Sequence, residues 1–259
     1  MTCSRFLQLP ERGALSVFFT AGYPRLGDTL PTLKALQSSG VDMVEVGFPF
    51  SDPVADGPTI QESSLVALRN GMTVATLFEQ LRGMRAAGVT MPVLLMGYLN
   101  PLERFGPERF FESAAACGVD ALILPDMPFD DYLARYKRLF ASSGLRPVFL
   151  VTSRTEEERI RAFDAESPAF IYVLSSDAVT GGKASVTEAT EKFFRRLEAM
   201  KLSSRLIVGF GVSDRASFQA VTKHTSGAII GSAFVRAVSG AQTEEDLQKR
   251  ISTFIEGVR

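Results

Sequence analysis

The stretch 43–61, MVEVGFPFSDPVADGPTIQ, decides how the chain is read. Its first five residues, Met43-Val44-Glu45-Val46-Gly47, are a short and nearly continuous apolar run. Turn-forming Pro, Asp and Gly follow, and a helical pattern opens at Pro58. A run of this kind is how a strand reads when both faces of a parallel sheet are covered. Seven more runs share the character: 15–20 (LSVFFT), 92–97 (PVLLMG), 121–125 (ALILP), 147–151 (PVFLV), 170–175 (FIYVLS), 205–209 (RLIVG) and 228–231 (AIIG). One-face stripes lie between them: Leu30, Leu33 and Leu36; Leu133, Tyr136, Leu139 and Phe140; Phe193, Leu197 and Met200. These repeat at helical spacing. Ser213 and Asp214 are N-cap candidates for a helix over 216–222.

Eight strand–helix units in 259 residues average about 32 residues each, the size of a βα unit. The one long interval, 43 to 92, has room for an extra helix at 58–70 before another at 73–87. No Pro/Gly/Ser linker, charge block or internal repeat divides the chain. The expectation is a single (β/α)8 TIM barrel over 1–259, with an extra helix after strand 2 and a short one after strand 8. An open doubly wound sheet is the alternative, because periodicity does not show closure.

Composition excludes several classes. Lys and Arg total 28 against 29 Asp and Glu, so the basic footprint of a nucleic-acid binder is absent. Cys3 and Cys117 are too few for a disulfide framework, which fits a cytoplasmic protein. No 18-residue apolar run or signal-type h-region occurs, so no membrane partner is expected. The single histidine, His224, leaves no multi-histidine metal site and reads as a surface cation at a helix C-terminus.

In a barrel the chemistry sits at the C-terminal ends of the strands. Glu45 alternates with Val44 and Val46, which puts a carboxylate among apolar barrel positions. That is costly unless the group is paired or used. Burial raises its pKa, which suits a general acid/base at neutral pH. The following loop adds Ser51, Asp52 and Asp56, where Asp before Pro or Gly is ordinarily turn chemistry. Gly209 and Gly211 end the seventh run, Gly231-Ser232-Ala233 the eighth, and Thr180-Gly181-Gly182 follows the sixth. Three Gly-bearing loops at adjacent strand ends point to a phosphate site. Lys183 reads as an exposed cation. No strand run carries Lys or His, which disfavours a Schiff-base or metal-dependent aldolase.

From Glu45 to Gln61 the chain closely resembles the tryptophan synthase alpha subunit family, whose signature joins a catalytic Glu, a PFSDP segment and an ADGP segment with a catalytic Asp. FFTAGYP (18–24), MGYLNP (96–101), LPDMP (124–128), VTG (179–181), GFGV (209–212) and GSAFV (231–235) extend the resemblance in order along the chain. The resemblance implies a lyase in tryptophan biosynthesis that cleaves indole-3-glycerol phosphate to indole and glyceraldehyde 3-phosphate. Glu45 and Asp56 take the catalytic positions. Phe18, Met96, Tyr172, Thr180, Gly181, Gly211, Gly231 and Ser232 take substrate-binding ones, and Pro49, Asp52 and Asn100 contact a partner. That partner is a beta subunit in an α2β2 tetramer. Its pyridoxal phosphate is not this chain's, for which no cofactor or metal is expected. Asp177 and Ala178 depart from the family's pattern in the loop after strand 6. An alpha-type subunit that mainly activates its partner is the competing reading.

Overall fold

The computed structural model describes residues 5–174, 187–209 and 211–259. Eight parallel strands close into one barrel in sequence order: β1 (Ala14–Thr20), β2 (Met43–Gly47), β3 (Val93–Met96), β4 (Ala121–Ile123), β5 (Arg146–Val151), β6 (Ile171–Leu174), β7 (Leu206–Gly209) and β8 (Gly227–Ile230). Closure is carried by β1 against β8, with Val17 opposite Ile230, which removes the open-sheet alternative.

Alternation along the strands makes two cores. Leu15, Val17, Val44, Val46, Leu95 and Val173 face outward and pack under the helices. Phe18, Met43, Leu94, Ile123, Val148, Tyr172, Ile207 and Ile229 face inward and fill the barrel. Helix α1 (Thr29–Ser38) presses Leu33 and Leu36 into the outer core. Truncating such a fully buried Leu costs about 2–5 kcal/mol.

The extra helix after β2 is α2 (Pro58–Arg69), opened by Pro at its first turn, where the missing N–H costs nothing. Next, α3 (Val74–Leu81) is shorter than the 73–87 expected: Arg82 turns to an extended ψ of 123° and Gly83 to φ +82°. Then come α4 (Leu99–Phe105) and α5 (Pro107–Cys117). A short α6 (Phe129–Asp131) runs through a π-helical turn at Tyr132–Tyr136 into α7 (Lys137–Ser143). The wide turn shifts the phase of the helix, so Tyr132 and Tyr136 are buried while Leu133, expected on the core stripe, is 46% exposed. Helices α8 (Glu157–Glu166), α9 (Glu188–Ala199) and α10 (Arg215–Thr222) follow. Asp214 caps α10 by accepting from Ser217 N at 2.9 Å. The short helix after β8 is α11 (Ser232–Val238), and α12 (Glu244–Val258) completes the ring.

The end of the barrel where the strands begin is stopped by the 3-10 turn Arg5–Gln8. Phe6 and Leu9 join the inner core, and the Phe6 ring lies 6.3 Å from that of Phe170. Arg5 pairs with the buried Asp120 at 2.8 Å, and Arg85 reaches the same carboxylate at 2.6 Å. Asp120 also accepts from Val93 N, while Arg85 bonds the carbonyls of Val89, Met91 and Gly118. His224 lies just beyond α10, stacked on Phe194, with Nδ1 3.8 Å from a Glu198 carboxylate oxygen.

Candidate active site

Glu45 stands at the third position of β2 and points into the barrel with no exposed surface. Ser16, one pleat down on β1, donates to its Oε1 at 3.4 Å. Its Oε2 is buried without a hydrogen-bond partner among the described residues. Burial pushes this carboxyl up to about 8, with the Ser16 hydroxyl pulling weakly the other way.

The second carboxylate comes from the loop between β2 and α2. Asp56 N bonds Pro53 O at 3.0 Å, and Gln61 Nε2 holds Asp56 O at 2.9 Å, so the turn is fixed at both ends. Tyr98, capping the start of α4, donates from Oη to Asp56 Oδ2 at 2.8 Å and accepts from Ala55 N at 3.0 Å. Burial raises Asp56 to about 6, and the Tyr98 bond opposes it. The next residue is anchored as well: Leu99 N donates to both oxygens of Asp126, at 3.0 and 3.1 Å.

Tyr172 lies within electrostatic reach of both carboxylates. It is buried on β6, and burial raises its phenol well above the ordinary value, with the carboxylates of Glu45 and Asp56 acting in the same direction. Its ring occupies the space a side chain on Gly209 would fill: a Cβ there would lie 2.1 Å from the ring. Phe18 uses Gly47 in the same way, with a hypothetical Cβ 2.6 Å from its ring, and it also borders Gly231. A cleft beside Asp56 is lined by Phe18, Phe50, Asp56, Ile60, Met96 and Tyr98, with Glu45 and Tyr172 outside its lining. Its free volume is about 10 Å³, room for about one water. A larger groove of about 230 Å³ opens at the opposite end, beside Glu198, Lys201 and His224, and holds none of the candidate residues.

Glu45, Asp56, Phe18, Met96, Tyr172 and Gly231 thus gather at the C-terminal mouth of the barrel. Gly211 follows β7 with φ +76°, and Ser232 opens α11. Thr180 and Gly181, with Asp177, Ala178 and Lys183, lie outside the described residues. On the loop and α4, Asp52 and Asn100 are exposed, whereas Pro49 is buried within the chain and shapes the loop rather than its surface. Sequence reasoning missed Val54, 83% exposed at the loop's tip, along with Tyr98 and Ser16. Ser16 carries the signal that exposed Glu45, a polar residue at an inward position of an apolar strand. Among the described residues no cluster of His, Cys, Asp or Glu could hold a metal ion, and no helix is long and apolar enough to cross a membrane.

A family model described as "Tryptophan synthase alpha chain" matches residues 6–258. The chain is 50% identical to the tryptophan synthase alpha chain of Parabacteroides distasonis, with 93% of each chain covered. To that of Flavobacterium johnsoniae it is 47% identical, over 88% of this chain and 90% of the relative. Among solved structures, the tryptophan synthase A-subunit of Pyrococcus furiosus superposes with TM-score 0.86 at 31% identity, covering 96% of this chain and 99% of that one. A chain of the Mycobacterium tuberculosis tryptophan synthase, in its aminoacrylate-bound form, gives TM-score 0.83 at 30% identity, covering 99% and 100%. The closed barrel, its two inserted helices and these matches together make the chain a member of the tryptophan synthase alpha chain family.

Proposed function

We propose that this chain, acting as one domain, cleaves indole-3-glycerol phosphate to indole and glyceraldehyde 3-phosphate, with Glu45 and Asp56 as its catalytic residues. The observation that carries the reading is the fully buried Glu45, which has one oxygen held and the other open. Near pH 7 a carboxyl titrating at about 8 is mostly protonated, and one titrating at about 6 is mostly ionised. Two carboxyls with pKa values pushed apart by their surroundings supply an acid and an anion at one site.

Glu45 delivers its proton to indole C3. The resulting indoleninium-like cation is the electron sink that an imine or metal provides elsewhere. The C3–C3′ bond then breaks, its electrons return to the ring, and the side-chain hydroxyl becomes the aldehyde. The proton it sheds goes to Glu45. Asp56 accepts a hydrogen bond from the indole N–H and stabilises the positive charge, an effect strengthened by the apolar walls. Phe18 and Met96 line the ring's place, and Tyr172 stands near both carboxylates. Gly211, Gly231 and Ser232 hold the phosphate, and the family resemblance assigns Thr180 and Gly181 to the same group. A cleft of about 10 Å³ admits a bicyclic ring only if an aromatic side chain at the mouth swings aside.

The exposed loop tip, with Asp52 and Val54, and Asn100 on α4 form a surface for a beta subunit in an α2β2 assembly in the cytoplasm. Pyridoxal phosphate belongs to that partner. Indole release by the purified chain, with and without a tryptophan synthase beta subunit, tests the reading. Slow release that rises with the partner and disappears in Glu45→Gln supports it. Absence of release, with binding to the beta subunit intact, overturns it in favour of an activating subunit.

A further inference from the structure

We propose that Ser16 is a positioning residue for Glu45: its hydroxyl holds Oε1, so that Oε2 is the oxygen that gives and takes the proton. The proposal rests on Glu45 being the acid/base of the reaction.

Ser16 is 1% exposed and sits on β1 with Met43 and Ile229 as its strand neighbours. A hydroxyl at such a position is costly to bury unless it is bonded. Its bond runs to the Glu45 carboxyl, 3.4 Å away on the adjacent strand. Among the described residues no other side chain donates to that carboxyl, and Oε2 is buried with no partner.

The chemistry gives this asymmetry a use. A neutral carboxyl has one protonated oxygen and one carbonyl oxygen. A donor fixed on Oε1 favours that atom as the carbonyl oxygen and leaves the proton on Oε2. When the carboxyl ionises, the same donor stays on Oε1, and Oε2 is again the free base. The side chain therefore returns a proton from the atom that receives it, without turning about its terminal bond.

Ser16→Ala and Ser16→Thr, assayed as full chains with the beta subunit, test this. Loss of a donor to a charged group is expected to lower kcat about ten-fold and move the Glu45 limb of the pH–kcat profile up by about one unit. KM stays within about two-fold, since no substrate contact is removed. Ser16→Thr keeps the hydroxyl and the wild-type limb. The Glu45 carboxyl is also titrated directly by 13C NMR of glutamate-labelled protein, its signal assigned as the one missing in Glu45→Gln. An upward displacement in Ser16→Ala supports the contact. An unmoved titration and limb overturn the proposal, as does a loss of kcat matched by a rise in KM. Turnover retained in Glu45→Gln would instead overturn the role of Glu45, a separate result from the Ser16 titration.

Discussion

Tyr98 and Asp56, 42 residues apart in sequence, are joined by a 2.8 Å hydrogen bond that ties the loop after β2 to the start of α4. The same hydroxyl takes the N–H of Ala55, so one phenol fixes both the carboxylate and the turn that carries it.

Tyr98→Phe therefore removes a donor from Asp56 and frees a backbone N–H. Asp56, already raised to about 6, moves further up, because the Tyr98 bond is what holds it down. The acid limb of kcat/KM for indole release is expected to shift upward by about half a unit or more, with turnover near pH 6 falling several-fold. Stability drops by about 0.5–1.5 kcal/mol, the worth of a hydrogen bond whose Ala55 N–H can turn to water, since Ala55 is exposed. An unchanged acid limb would show that Asp56 is not the group reporting there.

Gly209→Ala tests the seat of Tyr172. A Cβ placed 2.1 Å from the ring forces the phenol out of its place near the carboxylates. Gly209 has no positive φ, so the effect is one of contact rather than backbone strain. Indole release should fall by about ten-fold or more while circular dichroism retains the wild-type spectrum.

Glu45 makes stability depend on pH in a direction opposite to most carboxylates. Its folded pKa, about 8, lies above its ordinary 4.5, so the folded state binds the proton more tightly than the unfolded one. The contribution is complete below pH 4.5 and is lost as pH rises through 8. Urea unfolding at pH 5, 7 and 9 should show wild type losing a few kcal/mol relative to Glu45→Gln, whose neutral amide does not ionise. Parallel curves for the two proteins would mean that Glu45 is ionised at low pH or reaches water.

Asp120 holds two arginines and a strand N–H at the closed end of the barrel. Asp120→Ala leaves Arg85 partly buried without its counter-charge and releases Arg5. The expected loss is about 3 kcal/mol, read by denaturant midpoint. Turnover at 25 °C should be little changed, since the site lies at the other end.

The barrel was readable because its strands are apolar on both faces, and β2 fell on Met43–Gly47 as the pattern placed it. Glu45 stood out for the same reason: a charge in an apolar run is visible without a partner in view. Elements set by local exceptions were harder. The end of α3 at Leu81 depends on Arg82 leaving helical geometry and on Gly83 at φ +82°, and a single glycine inside a helical pattern does not by itself say whether the helix stops there. Leu133 fell off the core stripe because a π-helical turn altered the periodicity on which the stripe was counted. Tyr98 is a different case. Its role exists only once the loop after β2 and the end of β3 are brought together, and spacing along the chain holds no trace of that meeting.

The plug of Phe6 and Leu9 has a consequence for the proposed chemistry. With one mouth stopped and Glu45 wholly enclosed, bulk water has no route to the acid from below. Cleavage gives C3 one proton and takes one from the hydroxyl, so the acid is reloaded by the molecule it has just split. The barrel then works as an insulated relay, in which each turnover leaves the carboxyl ready for the next.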